Sequence, residues 1–146
     1  MYPSIQSVHS LWAYLLLIVV VVAFVNALAG AVSKRDFVAR DFRISLFALI
    51  VTHIQIVIGI VLFFLSPWGL QNIQSSGMGA VMKDSLSRLY VIEHPLMMII
   101  AVIFLTIGYS RHKKHLLSRK KFVSIALFYG LALIFILSRI PWSQWI

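Results

Sequence analysis

Residues 11–32 read LWAYLLLIVVVVAFVNALAGAV, and no charged side chain interrupts them. A helix of about 20 apolar residues is long enough to span the roughly 30 Å hydrocarbon core of a bilayer. Three more mostly apolar stretches of similar length follow, at 44–65, 89–110 and 122–140. We therefore predict an all-α integral membrane protein, a four-helix bundle that forms a single transmembrane domain over residues 1–146.

The composition excludes most other classes of protein. The chain is 61% hydrophobic and 12% charged, which is too apolar for a soluble domain. It has no cysteine, so disulfides, iron–sulfur clusters and thiolate metal sites are excluded. The first apolar run lacks a basic segment before it and is longer than the core of a signal peptide, so we expect it to be retained.

The basic residues predict the orientation in the membrane. Of 13 Lys and Arg, ten lie in the two short links 33–43 and 111–121, and the other three are Lys83, Arg88 and Arg139. Loops rich in Lys and Arg face the cytoplasm, and short links join antiparallel helices. We therefore expect an up-down-up-down bundle with both termini extracytoplasmic. The lipid bilayer then accounts for the net charge of +9, and no nucleic acid is needed as a partner.

Function is expected from the few polar side chains inside the spans, because their burial in lipid is costly. His53 lies in the second span, Glu93 and His94 lie in the third, and His9 lies at the outer end of the first. Two membrane histidines on different helices with apolar surroundings are what bis-histidine haem b ligation needs. A pair of interhelical hydrogen bonds explains the same residues.

The depth of the histidines leaves two ligand pairs open. At 1.5 Å per residue, His53 lies about 15 Å from the inner edge of the membrane and His94 about 9 Å from the outer edge. Across a core of about 30 Å this leaves several ångströms between them. His9 lies further out, so His9 with His94 is a competing pair. We expect His112 and His115, in the basic link 111–121, to be solvated among lysines.

A second feature of span two is a stripe of small residues at a spacing of seven. Ser45, Thr52, Gly59 and Ser66 share one face of this helix. Small residues let another helix approach closely. We expect this stripe to be a packing seam that carries no ligand.

Three groups of residues carry a family resemblance over nearly the whole chain. They are His9-Ser10, the run from His53-Ile54-Gln55 through Gly59 to Ser66-Pro67, and the run from Glu93-His94-Pro95 to Gly108. With these, the chain resembles a family of short bacterial four-helix membrane proteins described as cytochrome b. The resemblance implies a multi-pass protein of the bacterial cytoplasmic (inner) membrane, with His9, His53 and His94 as functional histidines.

The chain also departs from the family. Where the family has Leu-Arg-Trp, this chain has Trp12-Ala13-Tyr14. If that arginine pairs with a haem propionate or an anionic head group, the role is missing in this chain or moves to Arg88.

These observations predict a small membrane cytochrome that binds haem b and exchanges electrons with a quinone or a membrane protein partner. We expect His53 and His94 as the axial ligands of the haem iron, with His9 as a third candidate. Glu93 and Arg88 are expected close to the cofactor.

Other functions stay open. The chain could be a cofactor-free accessory or assembly subunit of a larger membrane complex. It could also be a haem- or quinone-linked oxidoreductase in which Glu93 moves protons, so whether it is an enzyme is undecided. A copper or zinc carrier that uses His9, His94 and the paired methionines Met97 and Met98 is less favoured, because methionines on such a helix usually pack.

Overall fold

The computed structural model describes residues 1–145, and all regular secondary structure in that range is helical. The last position of the predicted domain, residue 146, lies outside the described residues. Four helical stretches are long and apolar enough to cross a membrane: Tyr2–Ser33, Ala39–Ser76, Ser85–Lys114 and Ser118–Ser138. The predictions of an all-helical protein and of four helices long and apolar enough to span a membrane are therefore confirmed.

The four helical stretches are each longer than the apolar segments that predicted them, although the last is only slightly longer. They are α1 (Tyr2–Ser33), α2 (Ala39–Leu65), α3 (Leu70–Ser76), α4 (Met78–Lys83), α5 (Ser85–Arg88), α6 (His94–Lys114), α7 (Ser118–Ser138) and α8 (Trp142–Trp145), with a π-helical turn (Leu89–Glu93) before α6. The first three predicted spans lie within helical stretches, and the fourth, 122–140, runs past the end of α7. The longer helices include polar flanks, because a helix does not have to end where the hydrocarbon core ends.

The long helices contact one another through small residues. Helix α1 packs against α2 and α7, α6 packs against α7, and α2 packs against α6. Alanines from all four helices are almost completely buried where the helices meet: Ala23, Ala27, Ala48, Ala101 and Ala132. Without a hydrophobic driving force inside a bilayer, such close approach supplies the packing energy that holds helices together.

Side chains on one helix also reach the backbone of another. The Tyr129 hydroxyl on α7 donates to the Ser45 carbonyl on α2 at 2.8 Å, and the Ser124 hydroxyl donates to the Gly108 carbonyl on α6 at 3.1 Å. The Trp12 indole N–H on α1 donates to the Val51 carbonyl on α2 at 2.9 Å. These bonds satisfy buried donors and fix the helices against sliding.

Large apolar side chains cover the outer faces of the same helices. Ile18 is 62% exposed, Val57 is 61% exposed and Ile134 is 64% exposed. Lipid tails are as apolar as the protein interior, so these side chains are favourable on a surface that faces lipid. The inner and outer faces of the helices therefore have similar hydrophobicity.

Candidate functional site

Polar side chains gather in two clusters near the two ends of α1. One contains the side chains of His9, Gln55 and His94, with Gly59 beside the His9 ring, and we call it the histidine end. The other contains Asn26, Arg35, Asp41 and His112, and we call it the aspartate end. Along α1, His9 and Asn26 are about 25 Å apart at 1.5 Å per residue, so the clusters are separate.

A cavity of about 590 Å³ lies at the histidine end. Its walls come from α1, α2, the start of α6 and the C-terminal segment, and they include His9, Gln55, Gly59, His94 and Trp145. Most of the remaining lining is apolar, including Leu16, Leu17, Ile56, Phe63, Val91, Met98 and Ile136. A largely apolar cavity of about 300–1,000 Å³ with a few polar groups is typical of a cofactor or small-molecule site.

The rings of His9 and His94 lie close together in this cavity, in a T-shaped arrangement. Their centroids are 6.2 Å apart and their planes are inclined by 78°. A metal ion lies about 2 Å from each imidazole nitrogen that binds it, and adding about 1 Å from nitrogen to ring centroid on each side places the centroids about 6 Å apart. The observed centroid spacing leaves room for one ion between the two imidazoles.

A hydrogen bond orients His94. Its Nδ1 lies 2.8 Å from the Arg139 carbonyl oxygen. A carbonyl only accepts, so Nδ1 carries the proton and Nε2 is left with a free lone pair. Histidines that bind metals are usually held in this way, by a backbone carbonyl or a carboxylate at the other ring nitrogen. The π-helical turn Leu89–Glu93 immediately precedes His94, and such turns are frequent at functional sites.

The polar atoms around His9 are only partly hydrogen-bonded. Its Nδ1 is buried without a hydrogen-bond partner among the described residues, and so is the Oε1 of Gln55. The Gln55 amide N–H donates instead to the His9 carbonyl at 2.9 Å. A Cβ at Gly59 would lie 3.2 Å from Cε1 of His9, so the glycine makes room for the ring. Two unpaired polar atoms beside one cavity are typical of a site that binds something.

Charged side chains stand next to His94. Glu93 binds Arg88 through a 2.9 Å contact and Arg139 through a 3.4 Å contact. Arg139 therefore acts twice, because its backbone orients His94 while its guanidinium binds the neighbouring Glu93. Two cations on one carboxylate leave a net positive charge that an anionic group could neutralise.

His53 does not belong to the histidine end. Its ring is exposed on the outer face of α2, with Nδ1 2.8 Å from the Leu49 carbonyl one turn earlier. It is two positions from Gln55, which places it about 200° around the helix from the residue that contacts His9. The structure thus brings His9 and His94 together and does not bring His53 to either of them.

The donor set limits which metal centre can form. Within residues 1–145, no three His, Asp, Glu or Cys side chains converge on one point where a metal ion could be held. Zinc sites in proteins use three or four protein ligands. Haem iron needs only one or two, because the porphyrin supplies the other four. Two neighbouring histidines therefore match haem better than an ion held by the protein alone.

The aspartate end was not predicted from the sequence. Both oxygens of the fully buried Asp41 accept hydrogen bonds from Arg35, at 2.8 and 2.9 Å. The amide of Asn26 and the backbone N–H of Val38 also donate to Asp41, each at 2.9 Å. The hydrogen bond to Asp41 raises the pKa of Arg35 above its ordinary value. No sequence motif marks this group of contacts.

His112 corrects one expectation. We expected it to be solvated in a basic loop, but it is 1% exposed and lies near the rings of Phe37, Phe42 and Tyr109. It belongs to the last turn of α6, with Tyr109 one turn earlier on the same helix, while Phe37 and Phe42 come from the link before α2 and from α2 itself. The signal that could have found it is the pair of phenylalanines inside an otherwise basic link.

Comparison with protein-family models, with curated proteins and with solved structures gives no match for this chain.

Proposed function

We propose that this chain is a small membrane haem protein that holds haem b between α1 and α6 and transfers single electrons. In this proposal His9 and His94 are the axial ligands. The observation that carries it is the 6.2 Å centroid spacing of these two imidazole rings, on different helices, within one cavity. His9 takes the place that the sequence predicted for His53, because His53 faces outward on α2.

The residues at the histidine end fit such a group. Two neutral imidazoles are a sufficient protein donor set, and the lining includes the small residues Ala13, Gly59 and Ala101, which leave space between helices. Arg88 and Arg139 supply positive charge beside His94, where haem carboxylates would find a counter-charge. Haem iron supplies one-electron redox chemistry when it is bound.

In this proposal, separate structural roles belong to Arg139, Glu93 and Gln55. The Arg139 carbonyl keeps the proton on Nδ1 of His94 and so leaves Nε2 available. Glu93 ties Arg88 and Arg139 together, which fixes the start of α6 against the C-terminal segment. Gln55 binds the backbone of α1 at His9 and thereby sets the height of that ring relative to α2.

The proposal includes a topology. The ten basic residues in links 33–43 and 111–121 favour a cytoplasmic position for both links. Four antiparallel spans then form an up-down-up-down bundle in the bacterial inner membrane, with both termini outside. The histidine end lies on the extracytoplasmic side in this arrangement, so electrons would be exchanged there with a quinone or a membrane protein partner.

A visible spectrum tests the proposal. We expect purified protein, produced with adequate haem and reduced with dithionite, to show the bands of a low-spin b-type haem. His9→Ala and His94→Ala should each abolish these bands or convert them to a high-spin form, since either change removes one axial ligand. His53→Ala is the matched control and should leave them unchanged.

Two outcomes would contradict it. Absence of Soret absorbance even after haem supplementation would reject the haem function and favour the cofactor-free accessory subunit. Loss of haem in His53→Ala with retention in His9→Ala would reject the ligand pair and restore the one predicted from the sequence.

A further inference from the structure

A second cavity, of about 500 Å³, lies between α6 and α7 at the aspartate end. Three exposed cations line it, namely Arg111 near the end of α6 and Arg119 and Lys120 in the first turn of α7. Within residues 1–145 none of the three forms an ion pair with a carboxylate. The cavity therefore has an uncompensated positive charge.

The other wall of this cavity is apolar. Val123 is 43% exposed and Leu127 is 56% exposed, and both follow Lys120 along α7. The Phe128 ring forms the floor, with the Arg111 guanidinium carbon 5.6 Å from its centroid. Gly108 allows this arrangement, because a Cβ there would come within 2.5 Å of Phe128. Charged and apolar surfaces thus join in one groove that continues along a membrane-spanning helix.

We propose that this groove binds one anionic phospholipid. Its phosphate would contact Arg111, Arg119 and Lys120, and one acyl chain would lie along Val123, Leu127 and Phe128. Charge complementarity selects the anion, because no carboxylate lines the groove. The exposed apolar wall selects a molecule with a hydrocarbon chain. Basic pockets between transmembrane helices bind anionic lipid head groups in this way.

Native mass spectrometry of the purified, delipidated full chain can measure this binding, with phosphatidylglycerol and phosphatidylcholine as probes. We expect one phosphatidylglycerol to bind tightly and phosphatidylcholine to bind at least tenfold more weakly. Arg119→Gln with Lys120→Gln should weaken phosphatidylglycerol binding by roughly thirtyfold, about fivefold for each lost charge. The matched control is Arg40→Gln with Arg43→Gln, which removes two exposed cations at the start of α2 and should change binding less than threefold.

A second pair of variants tests the apolar wall. Val123→Trp fills the groove and should weaken binding by at least tenfold, because it occupies the space of the acyl chain. Ile134→Trp adds the same bulk at an exposed position of α7 outside the groove and should have little effect.

Three results would overturn the proposal. Equal losses in the two double variants would show that only the total charge matters. Equal affinity for the two lipids would remove the selection for an anion. Displacement of the lipid by inorganic phosphate at millimolar concentration would indicate a site for a free anion.

Discussion

The histidine end and the aspartate end are built by the same four helices but differ in how far their polar groups are satisfied. The buried Asp41 accepts hydrogen bonds from Arg35, Asn26 and the Val38 backbone. The buried Nδ1 of His9 has no partner among the described residues, and its cluster borders a large cavity. A buried polar atom without a partner costs about 1–3 kcal/mol. We infer that the aspartate end stabilises the fold and that the histidine end serves a ligand.

The largest effect on stability is expected from Asp41→Ala. It leaves the amide N–H of Asn26 without its acceptor. It also removes the carboxylate partner of Arg35, which keeps its hydrogen bonds to the Asn26 side-chain oxygen and the Asp36 carbonyl. Removing one partner of a fully buried pair costs about 3–5 kcal/mol, and we expect about 2–3 kcal/mol here because the Arg35 side chain is 31% exposed and stays partly hydrated. The free energy of unfolding in detergent micelles measures the effect.

The matched control for this variant is Asp36→Ala. Asp36 is exposed, and only its backbone carbonyl contacts Arg35, so the loss should be under about 0.5 kcal/mol. Equal losses in the two variants would mean that the aspartate end is not a stabilising cluster. The haem spectrum, where haem is bound, should be the same in both.

Gly→Ala substitutions are expected to affect the free energy of unfolding differently at the two ends. At Gly30 a Cβ would come within 2.5 Å of the fully buried Phe122 ring, and such overpacking costs about 1–3 kcal/mol. At Gly59 the nearest atom is Cε1 of His9 at 3.2 Å, and that ring borders the cavity. We expect Gly30→Ala to lower the free energy of unfolding by at least 1 kcal/mol and Gly59→Ala to change it less.

Gly59→Ala should instead act on ligand binding, because it moves His9 relative to His94. A weaker or high-spin haem spectrum with nearly unchanged stability is the expected combination. The reverse pattern, with Gly59→Ala destabilising and Gly30→Ala silent, would contradict the division of roles between the ends.

The smallest effects concern single hydrogen bonds. Ser118 accepts a bond from the Phe37 backbone N–H at 2.9 Å, and Ser118→Ala leaves that donor unpaired at a cost of about 1 kcal/mol. Gln55→Met removes one hydrogen bond but also removes the unpaired Oε1, so its net cost should be below about 0.5 kcal/mol. Thermal unfolding in detergent compares the two, and a larger loss for Gln55→Met would contradict the comparison.

The candidate site was predicted in part. The sequence marked His9, His94, Glu93 and Arg88, and the structure gathers all four within one region of the fold. It also favoured His53, which the structure places on the exposed face of α2. The reason is that His53 and Gln55 differ by two residues, so only one of them can face α1. Nothing in the local sequence decides which one does.

The sequence by itself determined the four membrane-spanning stretches, because hydrophobic length against bilayer thickness is a local property of the chain. It did not determine the rotation of each helix about its axis. In a soluble protein an amphipathic pattern reveals the buried face, whereas here exposed residues such as Val57 and interior residues such as Val51 are equally apolar. Only the tertiary structure decided that His9 meets His94. That contact depends on how closely the helices approach one another at small residues such as Gly59, and on the π-helical turn before His94.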